Sequence, residues 1–422
     1  MKKLVAWLGL FLLIGCQVAL PVFAQADRGD EMTALPASAQ AVVVQRATAT
    51  PSLLSPTATP AADTRLLRLV SAIEPLLPGV LTDVFVARDG ALWLASDRGV
   101  ARIFANERRA YLTRFWDFVV GPDDEGRIWV IDRGREQISA WDGVQWVHYG
   151  AKEGWYWFAV QKGQALAQSG LRRDALGGYW LVTAQDVRRF DGRRWRVYPL
   201  GEVGLTEPAR RAMRVLLSFA LAPDGETVWV GTCHWLDGRP VGGGGLRWFD
   251  GAVWHDGDLP VENGCLQKIV FDAAGDLWAG VDGNLWQRSG GKWREWEPPV
   301  LTDSALSYGF VRQLVVDSQG GVWALFGLCG KAGCDIWGVA YHWVNGDWLP
   351  VAGVMALNSG QLLVDKKGQA WLFEPLAIAS LEREEWQKVA QLRIYSLWQD
   401  ERGEIWLAAR FNDTDAIWNF SP

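Results

Sequence analysis

The stretch "DSQGGVWALFG" at residues 317–327 sets an acidic residue and a glycine turn ahead of a short apolar strand built around a tryptophan. Each part has a mechanical reason. Asp opens a turn because its side chain accepts hydrogen bonds from the backbone just ahead. Gly supplies the positive φ that tight hairpin turns require. The alternation around the Trp suits a buried strand, and the apolar run "VRQLVV" (311–316) suits the strand entering the hairpin.

The same phrase is written eight times, as "RDGALWLAS" (88–96), "DEGRIWVID" (124–132), "DALGGYWLVT" (174–183), "DGETVWVGT" (224–232), "DAAGDLWAG" (272–280), "DSQGGVWAL" (317–325), "DKKGQAWLF" (365–373) and "DERGEIWLA" (400–408). Its tryptophans, Trp93, Trp129, Trp180, Trp229, Trp278, Trp323, Trp371 and Trp406, are spaced 36, 51, 49, 49, 45, 48 and 35 apart. A glycine stands three before the Trp in seven copies, and in the fourth Gly225 stands four before Trp229. A second phrase follows in most units: "WDGVQW" (141–146), "FDGRRW" (190–195), "FDGAVW" (249–254), "SGGKW" (289–293) and "VNGDW" (344–348). It reads as another tight hairpin with Trp on its exit.

Each unit therefore holds four strands, A to D, with the acidic turn between A and B and the second turn between C and D. Four strands in about 45 residues is the length of one β-propeller blade. The fold class is all-β: a propeller of eight four-stranded blades, or seven if the irregular unit around 150–200 is miscounted. The last unit supplies only A, B and "DAIWNF" (415–420), so its D strand is expected from "RLLRLVSA" (65–72), closing the ring by pairing N- and C-terminal strands. The repeated tryptophans, of 27 in the chain, then act as large apolar plates between neighbouring blades.

The pairing of "D-x-x-G-x-h-W" with "DGxxW" resembles the two-component regulator propeller repeats, over residues 65–422. That resemblance implies an extracellular propeller, of the kind found in hybrid sensors and in stand-alone proteins, and says little about activity. The chain reaches Pro422 inside the last blade without a kinase or second membrane span, so it is not expected to pass a signal inward itself.

The first residues read as an address. "MKK" followed by "LVAWLGLFLLIG" is a secretory signal over residues 1–24. Leu13-Ile14-Gly15-Cys16 resembles a lipobox with Cys16 as the lipidated residue, whereas Val22-Phe23-Ala24 resembles an ordinary cleavage site. Residues 25–64, rich in Ala, Thr, Ser and Pro, cannot bury enough apolar surface to fold and suit a disordered stalk. The protein is thus expected to be exported, either as a lipid-anchored envelope protein or freely secreted. A net charge of −6 argues against a nucleic-acid partner. After the signal no apolar run approaches a membrane span, so a lipid would be the only membrane contact. The propeller is expected to be a monomer.

A–B and C–D turns share one face; B–C and D–A connections share the other. The long connections at 231–245, 255–265, 297–309 and 328–338 all fall on the second face, near blades 4 to 6. Function favours variable loops on a rigid scaffold. The candidate binding residues there are His234, Trp235, Asp237, Arg239, His255, Asp256, Asp258 and Glu262, a polar set suited to a polar ligand. Cys233 and Cys265 flank one blade boundary, and Cys329 and Cys334 bracket one loop; two disulfides, Cys233–Cys265 and Cys329–Cys334, are expected in an exported chain. No C-x-x-C pair exists, which disfavours zinc. "DGD" (256–258) and "NDTD" (412–415) offer oxygens for calcium without the regular register of a calcium loop, and no other cofactor is expected.

Three functions compete. The first is a binding module taking a protein or glycan at the bacterial cell envelope through its long-loop face. The second is a lyase- or hydrolase-type enzyme acting on a glycan or small polar substrate, although the four histidines are scattered and no catalytic constellation assembles. The third is an envelope assembly scaffold. Fold alone does not choose among them.

Overall fold

A computed structural model describes most of residues 67–420; the main interruptions are 73–76, 78–80, 113–117, 157–170, 206–213, 299–306, 352–354, 357–359 and 401–403, with one or two residues at several loop tips. The expected signal, Cys16 and the expected stalk at 25–64 lie outside the described residues.

Eight antiparallel sheets of four strands form the blades of a propeller. Blade 6 shows the plan: strand A, Ser307–Val316; B, Val322–Gly330; C, Gly333–Val344; D, Asp347–Pro350. The irregular unit is a blade as well: Arg172–Arg173, Tyr179–Val182, Asp186–Phe190 and Trp195–Pro199 form blade 3. Blades 4 and 6 each carry one additional two-residue strand. The ring closes as the sequence requires: Leu67–Ala72 pairs antiparallel with Thr414–Phe420, from Leu67 opposite Phe420 to Ala72 opposite Ala416, and supplies the D strand of blade 8.

The acidic turn does more than open a hairpin. In blade 6, Asp317 Oδ1 accepts the backbone N–H groups of Gln319 and Gly321, and its Oδ2 accepts the indole N–H of Trp323 at 2.8 Å. The same carboxylate–indole bond runs from Trp129 to Asp123, Trp180 to Asp174 and Trp278 to Asp272, each at 2.8 Å, from Trp371 to Asp365 at 3.0 Å, and from Trp406 to Asp400 at 3.4 Å. One carboxylate therefore sets both the turn and the orientation of the plate six residues later. Blades 1 and 4 have Ala87 and Ala222 in this place. Blade 1 keeps the turn length, with Ala87 N–H bonded to Ala91; blade 4 is one residue longer, with Ala222 N–H bonded to Thr227, which accounts for the displaced Gly225.

The second phrase completes the packing. In blades 2, 3, 4 and 6 the aromatics flanking the C–D turn are cross-strand partners, and together they hold the Trp of an adjacent blade. Trp93 meets Trp141 and Trp146 at 5.9 and 5.8 Å, Trp129 meets Phe190 and Trp195 at 5.6 and 5.9 Å, and Trp180 meets Phe249 and Trp254 at 5.4 and 6.1 Å, all edge-on. Trp278 is held in the same way by Trp343 and Trp348. Edge-to-face pairs add about 0.5–1.5 kcal/mol each beyond the area they bury. The innermost strands diverge too far to form a ladder, so side chains bridge them: Ser218 accepts from Ile269 N–H, Gln267 from Val311 N–H, Gln313 from Leu362 N–H, and Ser396 donates to Asp83.

Candidate functional site

Among the described residues, strand B is longest in blades 4 and 6, at nine residues each. In blade 4, strand B runs Val228–Leu236, and the short strand Arg239–Pro240 folds back on Trp235 and Leu236. In blade 6, strand B pairs with C from Val322 opposite Trp343 to Gly330 opposite Gly333. Blade 5 between them is short, with strand B only Leu277–Val281. Trp235 of blade 4 reaches across its end and meets Phe310 of blade 6 edge-on, with ring centroids 5.0 Å apart.

A disulfide fixes this arrangement. Cys233, in strand B of blade 4, is bonded to Cys265, which immediately precedes strand A of blade 5, with Cα atoms 4.4 Å apart and both residues fully buried. In chain-entropy terms a loop of this length contributes about 3–4 kcal/mol. Cys329 is disulfide-bonded too; the side chain of Cys334 lies outside the described residues.

His234 is buried within the blade 4 hairpin: its N–H donates to the Gly242 carbonyl at 3.1 Å and its carbonyl accepts from Val241 N–H at 2.9 Å. Its ring lies against Gly243, at φ +72°, where any Cβ would collide with Nδ1; this close approach accounts for glycine there. Trp235 beside it is half-buried, and its indole N–H has no partner among the described residues. Thr232 Oγ1 and Gln267 Nε2, at the same end of blades 4 and 5, also lack one among the described residues. Asp237 and the side chain of Arg239 lie outside the described residues, as do the side chains of 412–415.

The histidines do not come together. His255, expected on the long-loop face, belongs to strand D, Trp254–Asp256, near the Asp-Gly turns. It stacks on Trp248 at 4.3 Å and bonds Asp250 of the C–D turn at 2.7 Å, which holds the Asp250 carboxyl well below its ordinary range. Cross-strand register puts His255 level with Trp248 and Trp229, five residues down strand B from His234. That is roughly 16 Å at the usual rise of a strand. Asp256 pairs with Arg247 at 3.0 Å and caps the Asp258 N–H, while Glu262 is exposed on the connection to blade 5.

Two features of the inner strands carry no signature in the sequence. Burial, and next to it the Arg312 guanidinium, push the Lys268 ammonium below its ordinary value. At the turn end, a cavity of 460 Å³ opens beside Arg88, Arg172 and Trp398. Among the described residues no helix is long and apolar enough to cross a membrane.

No family model matches the chain. No curated protein matches it either. Among solved structures it is similar to virginiamycin B lyase from Staphylococcus aureus, at 12% identity and a TM-score of 0.43, with 84% of this chain and 98% of that one covered. It is similar also to the extracellular domain of a putative one-component system from B. thetaiotaomicron, at 14% identity and a TM-score of 0.37, covering 82% of this chain and 51% of that one, about half its length. A third is YCF48 bound to D1 peptide, at 12% identity and a TM-score of 0.40, with 86% and 98% covered. These likenesses extend to the fold and no further.

Proposed function

We propose that this protein is an exported binding module that takes a protein or glycan partner at the bacterial cell envelope on the long-loop face of blades 4 to 6. The observation that carries the reading is the long hairpin of blade 4, stapled to blade 5 by Cys233–Cys265 and joined over blade 5 to strand A of blade 6 by Trp235 and Phe310. A rigid platform loses little conformational entropy on binding. The buried disulfide suits an oxidising compartment outside the cytoplasm. Val241 adds an exposed apolar contact at the hairpin tip. Separation of His234 from His255 weakens an acid–base pair as the alternative.

The test is a cross-linking capture from solubilised envelope, run in parallel with a glycan array. Wild type is compared with Trp235→Ala/Val241→Glu and with a turn-face control, Arg193→Ala/Arg194→Ala. A ligand lost only from the first variant supports the loop face. One lost only from the control, or retained by both, sinks it.

A further inference from the structure

The cavity on the opposite face belongs to none of this. It lies at the turn end of the inner strands of blades 8, 1, 2 and 3, and its 460 Å³ falls within the range of about 300–1,000 Å³ typical of small-molecule pockets. Two guanidinium groups, Arg88 and Arg172, three carboxylates, Asp123, Asp124 and Asp400, and the indole of Trp398 line it.

The carboxylates are already committed. Asp123 accepts from the amides of Glu125 and Arg127, the Arg127 guanidinium and the Trp129 indole. Asp400 accepts from Glu404 N–H and the Trp406 indole. Asp124 accepts the Arg173 N–H at 2.5 Å and stands 3.6 Å from the Arg172 guanidinium, a loose ion pair. Arg88 has neither a hydrogen bond nor an ion pair among the described residues. Its backbone is nonetheless fixed, because it leans on Gly126, at φ +80°, where a Cβ would strike the Arg88 main chain. Trp398 is braced edge-on by Phe85 at 5.2 Å.

The carboxylates of the wall are thus drawn into contacts within the protein, whereas the Arg88 guanidinium is a planar cationic donor without one among the described residues. A guanidinium fork matches a carboxylate with two parallel hydrogen bonds, a fit that a neutral group reproduces poorly, and the Trp398 indole in the same wall favours an anion that also carries a ring. We propose that this cavity binds a small ring-bearing carboxylic acid, with its carboxylate on Arg88 and Arg172 and its ring beside Trp398.

Benzoate is the probe, with benzamide as its neutral isostere and inorganic phosphate as an anion without a ring, each titrated into the full chain by calorimetry. Benzoate is expected to bind saturably, about tenfold or more tighter than either control, and to lose about tenfold in Arg88→Ala, as for loss of a charge-assisted pair. Arg88→Lys should recover only part, and Arg172→Ala should weaken binding as well. Arg193→Ala/Arg194→Ala, which changes two exposed turn arginines outside the cavity, should bind as wild type. Thermal melts of each variant separate misfolding from lost recognition. Equal binding of benzamide or phosphate, or undiminished binding in both Arg88→Ala and Arg172→Ala, overturns the proposal, as does no binding of benzoate to a folded wild type.

Discussion

The junction between blades 3 and 4 and the one between blades 4 and 5 solve the same problem by different means. At the first, Trp180 is held by Asp174 from behind and by Phe249 and Trp254 in front. At the second, Ala222 replaces the carboxylate, and the residue matching Phe249 is Arg288, whose guanidinium lies over Trp229 at 5.2 Å. This is also the junction crossed by Cys233–Cys265. Where the carboxylate and one aromatic plate are missing, a covalent bond is present as well. A repeat protein keeps its geometry by satisfying each interface, not by satisfying every interface alike.

The largest effect expected from breaking this contrast is at the first junction. Asp174→Ala leaves the Trp180 indole, the Gly178 amide and the Arg189 guanidinium without their acceptor, and should cost about 3–5 kcal/mol in denaturant unfolding. A cost under about 1 kcal/mol would show that the carboxylate only decorates the turn. Removing the disulfide with Cys233→Ala/Cys265→Ala should cost about 3 kcal/mol in denaturant unfolding, with the Cys329 bond left intact in both proteins.

A third junction, between blades 8 and 1, is sensitive to pH. Burial pushes the Asp83 carboxyl up to about 6, against the opposing pull of the Ser396 hydroxyl. The unfolded chain, with an ordinary aspartate, releases that proton first. The contribution of Asp83 to stability is therefore most favourable below about pH 4 and declines as pH rises to about 6, by up to about 3 kcal/mol. Subtracting the stability profile of Asp83→Asn from that of wild type should expose this slope; a flat difference would refute it.

The smallest effect sharpens the comparison most. Ala87→Asp, in a turn of standard length beside the cavity, should gain about 1 kcal/mol by capturing the Trp93 indole. Ala222→Asp, in the turn with one residue more, should gain nothing. Equal gains in paired thermal melts would mean that turn length does not position the carboxylate.

Blade number and ring closure were legible because each depends on local marks: Gly and Trp at fixed spacing, and an unfilled place in the last unit. The indole–carboxylate bonds were half visible, since Asp stood six before Trp, yet nothing in a hairpin rule says where the second oxygen points. His255 was misplaced because "HDGD" has the polarity of a loop, whereas strand D continues through Asp256 and Trp248 offers the ring a surface to stack on. Cys233 and Cys265 could be matched because both stood beside the same blade boundary. The cavity left no trace in the sequence: its residues come from four blades and share no motif.

The pairing of Leu67 with Phe420 sets a clock on the molecule. During synthesis the strand that closes the ring emerges before any blade exists and must remain unpaired while the others form. Contacts so distant in sequence are the slowest to make. Until they form, the edges of the first and last blades are open to other chains, so the whole chain has to be made before either edge is protected.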